Sequence, residues 1–598
     1  MIYLFLTVSG DTSGTGVPSV YLLRKCFFSH IRACRQVCVR ICSSLFFSAF
    51  IIYLFLTVSG DASGTGVSSG LCNQKKAKNH KGENTKMGFS GTVWIMTSIV
   101  IYMAVVIVIG FQCSSKNKTA DDFYLGGRKL GPFVTAMSAE ASDMSSWLLM
   151  GLPGVAYLSG TADAGWTAIG LAVGTYLNWL IVAKKIRTYS IVSKNSITIP
   201  DFFSNRYRDN SKMLTIFSAA IIIIFFVPYT ASGFAACGKL FASLFGVNYF
   251  PAMIISAIVI VVYTTLGGFL AASTTDFFQS IIMTIALFVV LIFGVHMAGG
   301  TAAVIENAKA LPGYFSMSQM YDVSTHTAKN YSLLTCISTT AWGLGYFGMP
   351  HILLRFMAIE DENKLALSRR VACIWVVISM AVAVFIGIVG LGVSNAGAIE
   401  TLKGSASETI IVRISALLST FGIIPALMAG IVLAGILAST MSTADSQLIA
   451  ASSAVSKNII KDVFGIELDN KHTMLVARGT LLVIALIGMV IARNPDSSVF
   501  AIVSFAWAGF GAAFGPVMLF ALFWRRSNRN GALAGMITGG IMVFVWKYLV
   551  RPLGGAWNIY ELLPSFILAS IAIVVVSLLT APPSDEITAE FDEVKKYK

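Results

Sequence analysis

Glu140, Ser142, Asp143, Ser145 and Ser146 stand inside an otherwise apolar string, GPFVTAMSAEASDMSSWLLMGLPG. A carboxylate surrounded by hydrocarbon is costly unless it pairs or holds an ion, so Asp143 either organises an ion or substrate site or belongs to a structural pair; the first is the expectation. Serine and aspartate compete for backbone hydrogen bonds, which lets such a helix unwind locally and expose carbonyls and amides. A second string, TTAWGLGYFGMPHILLRF, carries Gly343, Gly345, Gly348 and Pro350, and each glycine costs about 1 kcal/mol in a helix interior. Freed carbonyls suit a hard cation such as Na⁺, and the amino end of a following half-helix suits a substrate carboxylate. In a third string, GILASTMSTADSQL, Ser439 precedes Ser442 and Thr443 by three and four positions. Its carbonyl and their hydroxyls therefore share one helix face. With carbonyls from another helix they would supply the oxygen ligands a sodium ion accepts, and the lack of soft or nitrogen ligands argues against a transition metal. Hydroxyls that merely bond back to their own helix are the alternative. For Asp445, a local hydrogen-bond cluster is favoured over an extension of the ion path.

The elements that hold these residues are membrane spans. The 598-residue chain is 56% hydrophobic and 12% charged with a mean hydropathy of +0.76, which places most of it in a solvent other than water. Apolar runs long enough to cross about 30 Å of hydrocarbon recur from Thr92–Phe111 onward, and backbone groups in lipid must pair within their own segment, so the runs are helices. The pattern predicts an all-α membrane protein of about thirteen spans, with the two glycine- or serine-broken spans second and seventh. They lie five spans apart, as expected if spans two to six and seven to eleven are inverted repeats. For Gly509, Gly511 and Gly515, close helix packing is the simpler reading.

The formal charge of +14 needs no nucleic acid, because Lys and Arg cluster in alternate loops. One side carries Lys116, Lys118, Arg128, Lys129, Lys184, Lys185, Arg187, Arg206 and Arg208, then Arg355, Lys364, Arg369, Arg370, Arg525, Arg526 and Arg529; the other has chiefly Lys309, Lys329, Lys403, Arg493 and Arg551. That asymmetry sets the amino terminus outside and the carboxyl terminus in the cytoplasm. Cys113, Cys237, Cys336 and Cys373 lie in or beside apolar runs without a CxxC pair, so neither a disulfide framework nor a zinc site is expected. Residues 1–86 contain a near-identical duplication, IYLFLTVSGDTSGTGV from Ile2 and IYLFLTVSGDASGTGV from Ile52. Diverged structural repeats do not keep their letters so closely, so this stretch is read as a non-native or untranslated extension, 87–585 as the transmembrane unit and 586–598 as a short cytoplasmic tail.

In this order, FYLGGRKLGPFVTAMSA, ASDMSSWLLMGLPG, WGLGYFGMPHIL, MSTADSQL and FAWAGFGAAFGP resemble the solute:sodium symporter family over nearly all of residues 87–585. The resemblance implies a LeuT-like core of two five-helix inverted repeats, with one extra helix before it and two after, importing a small solute with Na⁺ across the cytoplasmic membrane. L-Proline is the cargo it favours; pantothenate, a short carboxylate or a sugar are the runners-up, and a transporter-like sensor or a channel the other classes. No enzyme is expected, since no nucleophile, base and orienting group occur together. Carried over by resemblance, sodium would be held by the carbonyls of Ala141, Met144 and Ser439 and the hydroxyls of Ser442 and Thr443. Asp143 and Asp276 would be linked to sodium, and Arg128 to coupling or gating. Substrate would lie against Ser145, Ser146, Trp147, Tyr229, Trp342, Tyr346 and Pro350. The spacing of four among Trp342, Tyr346 and Pro350 puts them on one stripe wherever the segment is helical. Three positions depart from the family pattern: Ser146 replaces a glycine, Glu140 a small residue and Ser439 an alanine.

Overall fold

The computed structural model describes residues 89–114, 120–467 and 469–596; the duplicated segment, and with it the reading of 1–86, lies outside them. Among the described residues, ten helices are long and apolar enough to cross a bilayer. The first, α1 (Phe89–Ser114), is followed by a broken pair, α2 (Pro132–Asp143) and α3 (Leu152–Ser159), joined through a π-turn over Trp147–Gly151. Next come α4 (Thr161–Leu177, extended by a π-turn and a further helix to Val192), α5 (Met213–Phe245) and α6 (Tyr249–Met297). A second broken pair, α7 (Leu333–Thr340) and α8 (Pro350–Ala358), flanks a 3₁₀ stretch over Ala341–Gly348. The remaining spans are α9 (Leu365–Asn395), α10 (Ile423–Ser453), α11 (Asn470–Ile491), α12 (Val499–Phe523), α13 (Arg529–Val545) and α14 (Leu562–Leu579), and α15 (Asp585–Lys596) follows.

α6 corresponds to two expected spans. Within it, Gly268 sits at φ 68°, ψ −179°, a conformation that glycine adopts without the steric cost of a Cβ and that turns one helix into two. Sequence reading did not anticipate the short hairpin of β1 (Gln319–Asp322) and β2 (Thr327–Asn330) between α6 and α7, paired antiparallel with Gln319 opposite Asn330. The chain just ahead of it is tied to the start of α4: Thr161 and Trp166 donate to the carbonyls of Ser316 and Met317, at 2.8 and 2.9 Å.

Burial separates the core from the rim. The apolar windows of α10 and α12 are 67% and 83% buried, whereas those of α1 and α11 are 28% buried. A helix that is apolar on every side and buried by protein belongs at the centre of a bundle, and one that leaves its apolar face open faces lipid. The two broken pairs lie against the central helices: α2 packs on α6, α8, α9 and α10, and the Ala341–Gly348 stretch on α4 and α12. Glu408 joins two of these elements from a short 3₁₀ turn. Its carboxylate pairs with Lys239 of α5 at 2.7 Å and accepts from the amides of Val499 and Phe500 at 3.1 and 3.2 Å, so one buried anion meets a buried cation and the positive end of α12.

Candidate functional site

α2 begins with Pro132 at its first turn after an extended Gly131, and ends at Asp143, where Met144 leaves the helix with φ −78° and ψ 68°. The break has local causes. The Ser142 hydroxyl donates to the Ala139 carbonyl at 3.0 Å, and the Ser145 amide donates to the Asp143 carbonyl at 2.8 Å. These bonds replace helical ones, as short polar side chains do. The second break is enforced by packing. A Cβ on Gly345 would collide with the Trp507 indole, and one on Gly348 with the Phe510 carbonyl, so only glycine lets the Ala341–Gly348 backbone lie this close to α12. Pro350 then starts α8 at the position where its missing N–H is harmless.

The two faces of α2 carry different chemistry. On the face toward α10, the Ser442 hydroxyl donates to the Ala141 carbonyl at 2.8 Å and lies 3.2 Å from the Ser439 carbonyl, which the Thr443 hydroxyl also reaches at 3.1 Å. Four neutral oxygens from two helices thus converge beside the end of α2, all on buried residues. Hydroxyl and carbonyl oxygens so close together repel unless a proton or a cation lies between them, and this donor set fits a hard monovalent cation without a soft ligand. The negative end of the α2 dipole points the same way. Met144, the fifth expected sodium residue, is fully buried at the break.

On the opposite face lie two carboxylates. Glu140 accepts from the Trp179 indole at 2.8 Å. Asp143 accepts from the Tyr346 hydroxyl, while its main-chain carbonyl receives the Trp147 indole at 3.1 Å and the Tyr229 hydroxyl at 3.4 Å. Asp143 therefore joins three of the expected substrate residues at the first break. Ser146 is fully buried with no partner for its hydroxyl among the described residues, and Ser145 accepts from the Trp147 amide at 3.5 Å. Trp342 and Tyr346 both pack on Trp507, with ring centroids 6.4 and 5.1 Å apart. They do not form one stripe with Pro350, because residues four apart in a 3₁₀ turn are offset by about a third of a revolution.

Asp276 is 2.7 Å from the Ser138 hydroxyl and 3.2 Å from the Arg355 guanidinium, in an ion pair whose side chains are 0% and 1% exposed. Arg355 also donates to Ser446 at 2.5 Å, and Ser446 donates to the Ser442 carbonyl at 2.8 Å. Asp276 thus reaches the oxygen cluster through a relay. Arg355 corrects the sequence reading, which placed it among the loop cations; it is buried on α8, where its charge answers Asp276. Asp445 lies in the same cluster, 3.3 Å from the Ser446 hydroxyl. Arg128 lies apart from the breaks in a left-handed backbone conformation at φ 56°. Its guanidinium binds the Met357 and Ser196 carbonyls at 2.6 and 2.8 Å, and Ser190 and Asn195 at 3.0 and 3.2 Å. It ties the end of α8 to the turn after α4. A polar cavity of about 470 Å³, lined by residues such as Lys194, Asp201, Asp209 and Lys457, contains none of the expected site residues.

The sodium:solute symporter family matches this chain across residues 123–539. The chain belongs to that family. It is 41% identical over 508 residues to the sodium/proline symporter of Escherichia coli (strain K12), covering 84% of this chain and 96% of that one. Over 493 residues it is 39% identical to the osmoregulated proline transporter OpuE of Bacillus subtilis (strain 168), covering 82% and 96%. A solved substrate-bound, outward-open Na⁺-coupled sialic acid symporter shares the fold with a TM-score of 0.67 at 17% identity, covering 83% of this chain and 99% of that one. Sodium is therefore the coupling ion of this family member, and it acts as a transporter in a membrane it crosses many times, not as an enzyme.

Sequence reasoning missed Ser138, Trp179, Arg355, Ser446 and Trp507. Ser138 and Ser446 had a signal, since each lies a helical turn from a residue already singled out. The two tryptophans had none, because an indole that donates to a distant carboxylate or carbonyl looks in sequence like any apolar core residue.

Proposed function

We propose that this chain is a sodium-coupled secondary active symporter that imports L-proline across the cytoplasmic membrane by alternating access. The observation that carries the ion site is the convergence of the Ala141 and Ser439 carbonyls with the Ser442 and Thr443 hydroxyls beside the α2 break. The Met144 carbonyl completes the set. The cargo reading is supported by proline transporters about 40% identical over most of the chain. Proline would lie between the two breaks, its ring against Trp147, Trp342, Tyr346 and Tyr229, its carboxylate toward the amide ends at Ser145 and Ser146, with Pro350 at the start of α8. Asp143 holds the first break to Tyr346, Asp276 acts on the ion site through Arg355 and Ser446, and Arg128 closes the inner side.

The transmembrane unit is 87–585. Counting the two broken pairs as one span each, and α6 as two at Gly268, brings the ten long helices to thirteen. Spans two to six and seven to eleven form the inverted repeats, with the amino terminus outside and the tail from 586 in the cytoplasm. The loop cations support that orientation after Arg355 is removed from the count.

Proline is zwitterionic, so one sodium per cycle carries one net charge inward. A potential of about 100 mV supplies about 2.3 kcal/mol, and a tenfold sodium gradient adds about 1.4 kcal/mol. Together they sustain roughly 500-fold accumulation. Coupling requires sodium and proline to stabilise each other's binding, and both would hold the α2 break in one shape. Labelled-proline uptake into proteoliposomes, with and without an inward sodium gradient, tests this. Uptake that ignores sodium would sink the mechanism, whereas sodium-driven uptake of another solute in its place would sink only the cargo.

A further inference from the structure

The connection from α13 to α14 lies outside the proposed repeats, yet it reaches the candidate substrate wall. Tyr560, at its end, stacks on Trp342 with ring centroids 5.3 Å apart and planes 19° from parallel. Both side chains are buried. Two bonds fix the tyrosine to different elements: its amide donates to the Ser338 hydroxyl of α7, and its hydroxyl donates to the Ser504 carbonyl of α12, each at 2.7 Å. The next residue anchors the connection. Glu561 is 1% exposed and pairs with Arg551 at 3.0 Å and Lys547 at 3.9 Å, so the turn is held by buried charge as well as by stacking. Trp342 has no side-chain hydrogen bond of its own among those described. Its carbonyl accepts from Trp507 at 2.7 Å, but its ring is placed by packing alone, with Phe500 and Tyr560 nearest at 5.2 and 5.3 Å and Trp147 and Trp507 at 6.1 and 6.4 Å.

A 3₁₀ stretch with glycines at 343, 345 and 348 does little to fix its own side chains, so the rings packed against Trp342 decide where it points. We infer that Tyr560 is a positioning residue for transport: it sets the ring of Trp342 from outside the repeats and thereby tunes affinity for the cargo. The inference rests on the proposed role of Trp342 in the substrate wall. It assigns the last two spans a part in substrate recognition that their peripheral place in the bundle does not suggest.

The test uses the full chain in proteoliposomes, with KM for labelled proline, maximal rate and sodium half-saturation measured together. Tyr560→Ala removes the stack and should raise the proline KM about tenfold, the upper range for an aromatic pair. Sodium half-saturation at saturating proline should stay within about twofold, because the stack does not touch the oxygen cluster. Tyr560→Phe keeps the ring and loses only the Ser504 bond, so it should restore KM to near the parent value. In a Trp342→Leu background, Tyr560→Ala should add little, since residues acting through one another are not additive. An unchanged KM in Tyr560→Ala, or full additivity with Trp342→Leu, overturns the inference while leaving the symport reading intact. A Trp342→Leu variant with the parent KM would instead refute the substrate wall itself, and this inference with it. If Tyr560→Ala does not reach the membrane, Tyr560→Leu, which keeps apolar volume without a stacking face, replaces it and must show the same KM rise.

Discussion

Replacing Ser442 by alanine isolates the oxygen cluster better than any other single change. Its hydroxyl touches both helices of the cluster, 2.8 Å from the Ala141 carbonyl and 3.2 Å from that of Ser439. Ser442→Ala removes one ligand oxygen and leaves the Ala141 carbonyl without this partner, while the Ser439 carbonyl keeps Thr443 at 3.1 Å. A polar contact to a charged group contributes about 1.5–3 kcal/mol. At 1.4 kcal/mol per decade, sodium half-saturation should therefore rise about 10- to 150-fold. Loss of the neutral hydrogen bond alone should cost stability only about 1 kcal/mol, so the protein remains folded. The assay is initial proline uptake against external sodium, with ionic strength held constant by an impermeant cation. Thr443→Ala should act in the same direction, and Thr443→Ser, which retains the oxygen, should stay near the parent. If Ser442→Ala and Thr443→Ala both shift sodium half-saturation by less than about twofold, the hydroxyls serve only as protein hydrogen bonds and the ion lies elsewhere.

Three other outcomes follow from the same geometry. Asp276→Asn leaves the buried Arg355 guanidinium without its counter-charge and should lower thermal stability by about 3–5 kcal/mol, read as a fall in melting temperature of the detergent-solubilised protein that the double change with Arg355→Met largely reverses. Gly345→Ala places a methyl group on the Trp507 indole and should reduce the amount of folded transporter in the membrane, measured by immunoblotting of purified membranes. Asp209 lies outside the spans, where burial raises its carboxyl but bonds from Ser211, the Leu214 amide and Arg529 outweigh that and hold it below the usual carboxylate range. A depressed carboxyl stabilises the fold above its unfolded-state value and loses that contribution as pH falls through the folded one. Melting temperatures of the parent and Asp209→Asn should therefore differ by a constant amount near neutral pH and converge only below about pH 4; a gap that closes between pH 7 and 5 would refute the assignment.

Much of this protein is legible in the letters. Apolar runs of span length, serine and aspartate in one of them, glycines and Pro350 in another, and hydroxyls three and four residues after Ser439 are local features with local causes. Hydrocarbon forbids unpaired backbone, so a run such as Phe89–Ser114 has few choices other than a helix. Met144 leaves the helix for reasons carried by Ser142, Asp143 and Ser145 themselves. The tertiary structure alone decided which partners meet across the bundle. Arg355 reads in sequence as one more cation at a span's end, and becomes a buried counter-charge only because α6 brings Asp276 to it. Trp342, Tyr346 and Pro350 follow helical spacing in the letters, but packing against Trp507 winds that stretch as a 3₁₀ turn and separates them. The stack of Tyr560 on Trp342 joins residues 218 positions apart through a connection whose composition gives no sign of it. Local breaks arise from nearest neighbours along the chain, whereas the pairing of charges and rings depends on helix packing, which no short window of sequence contains.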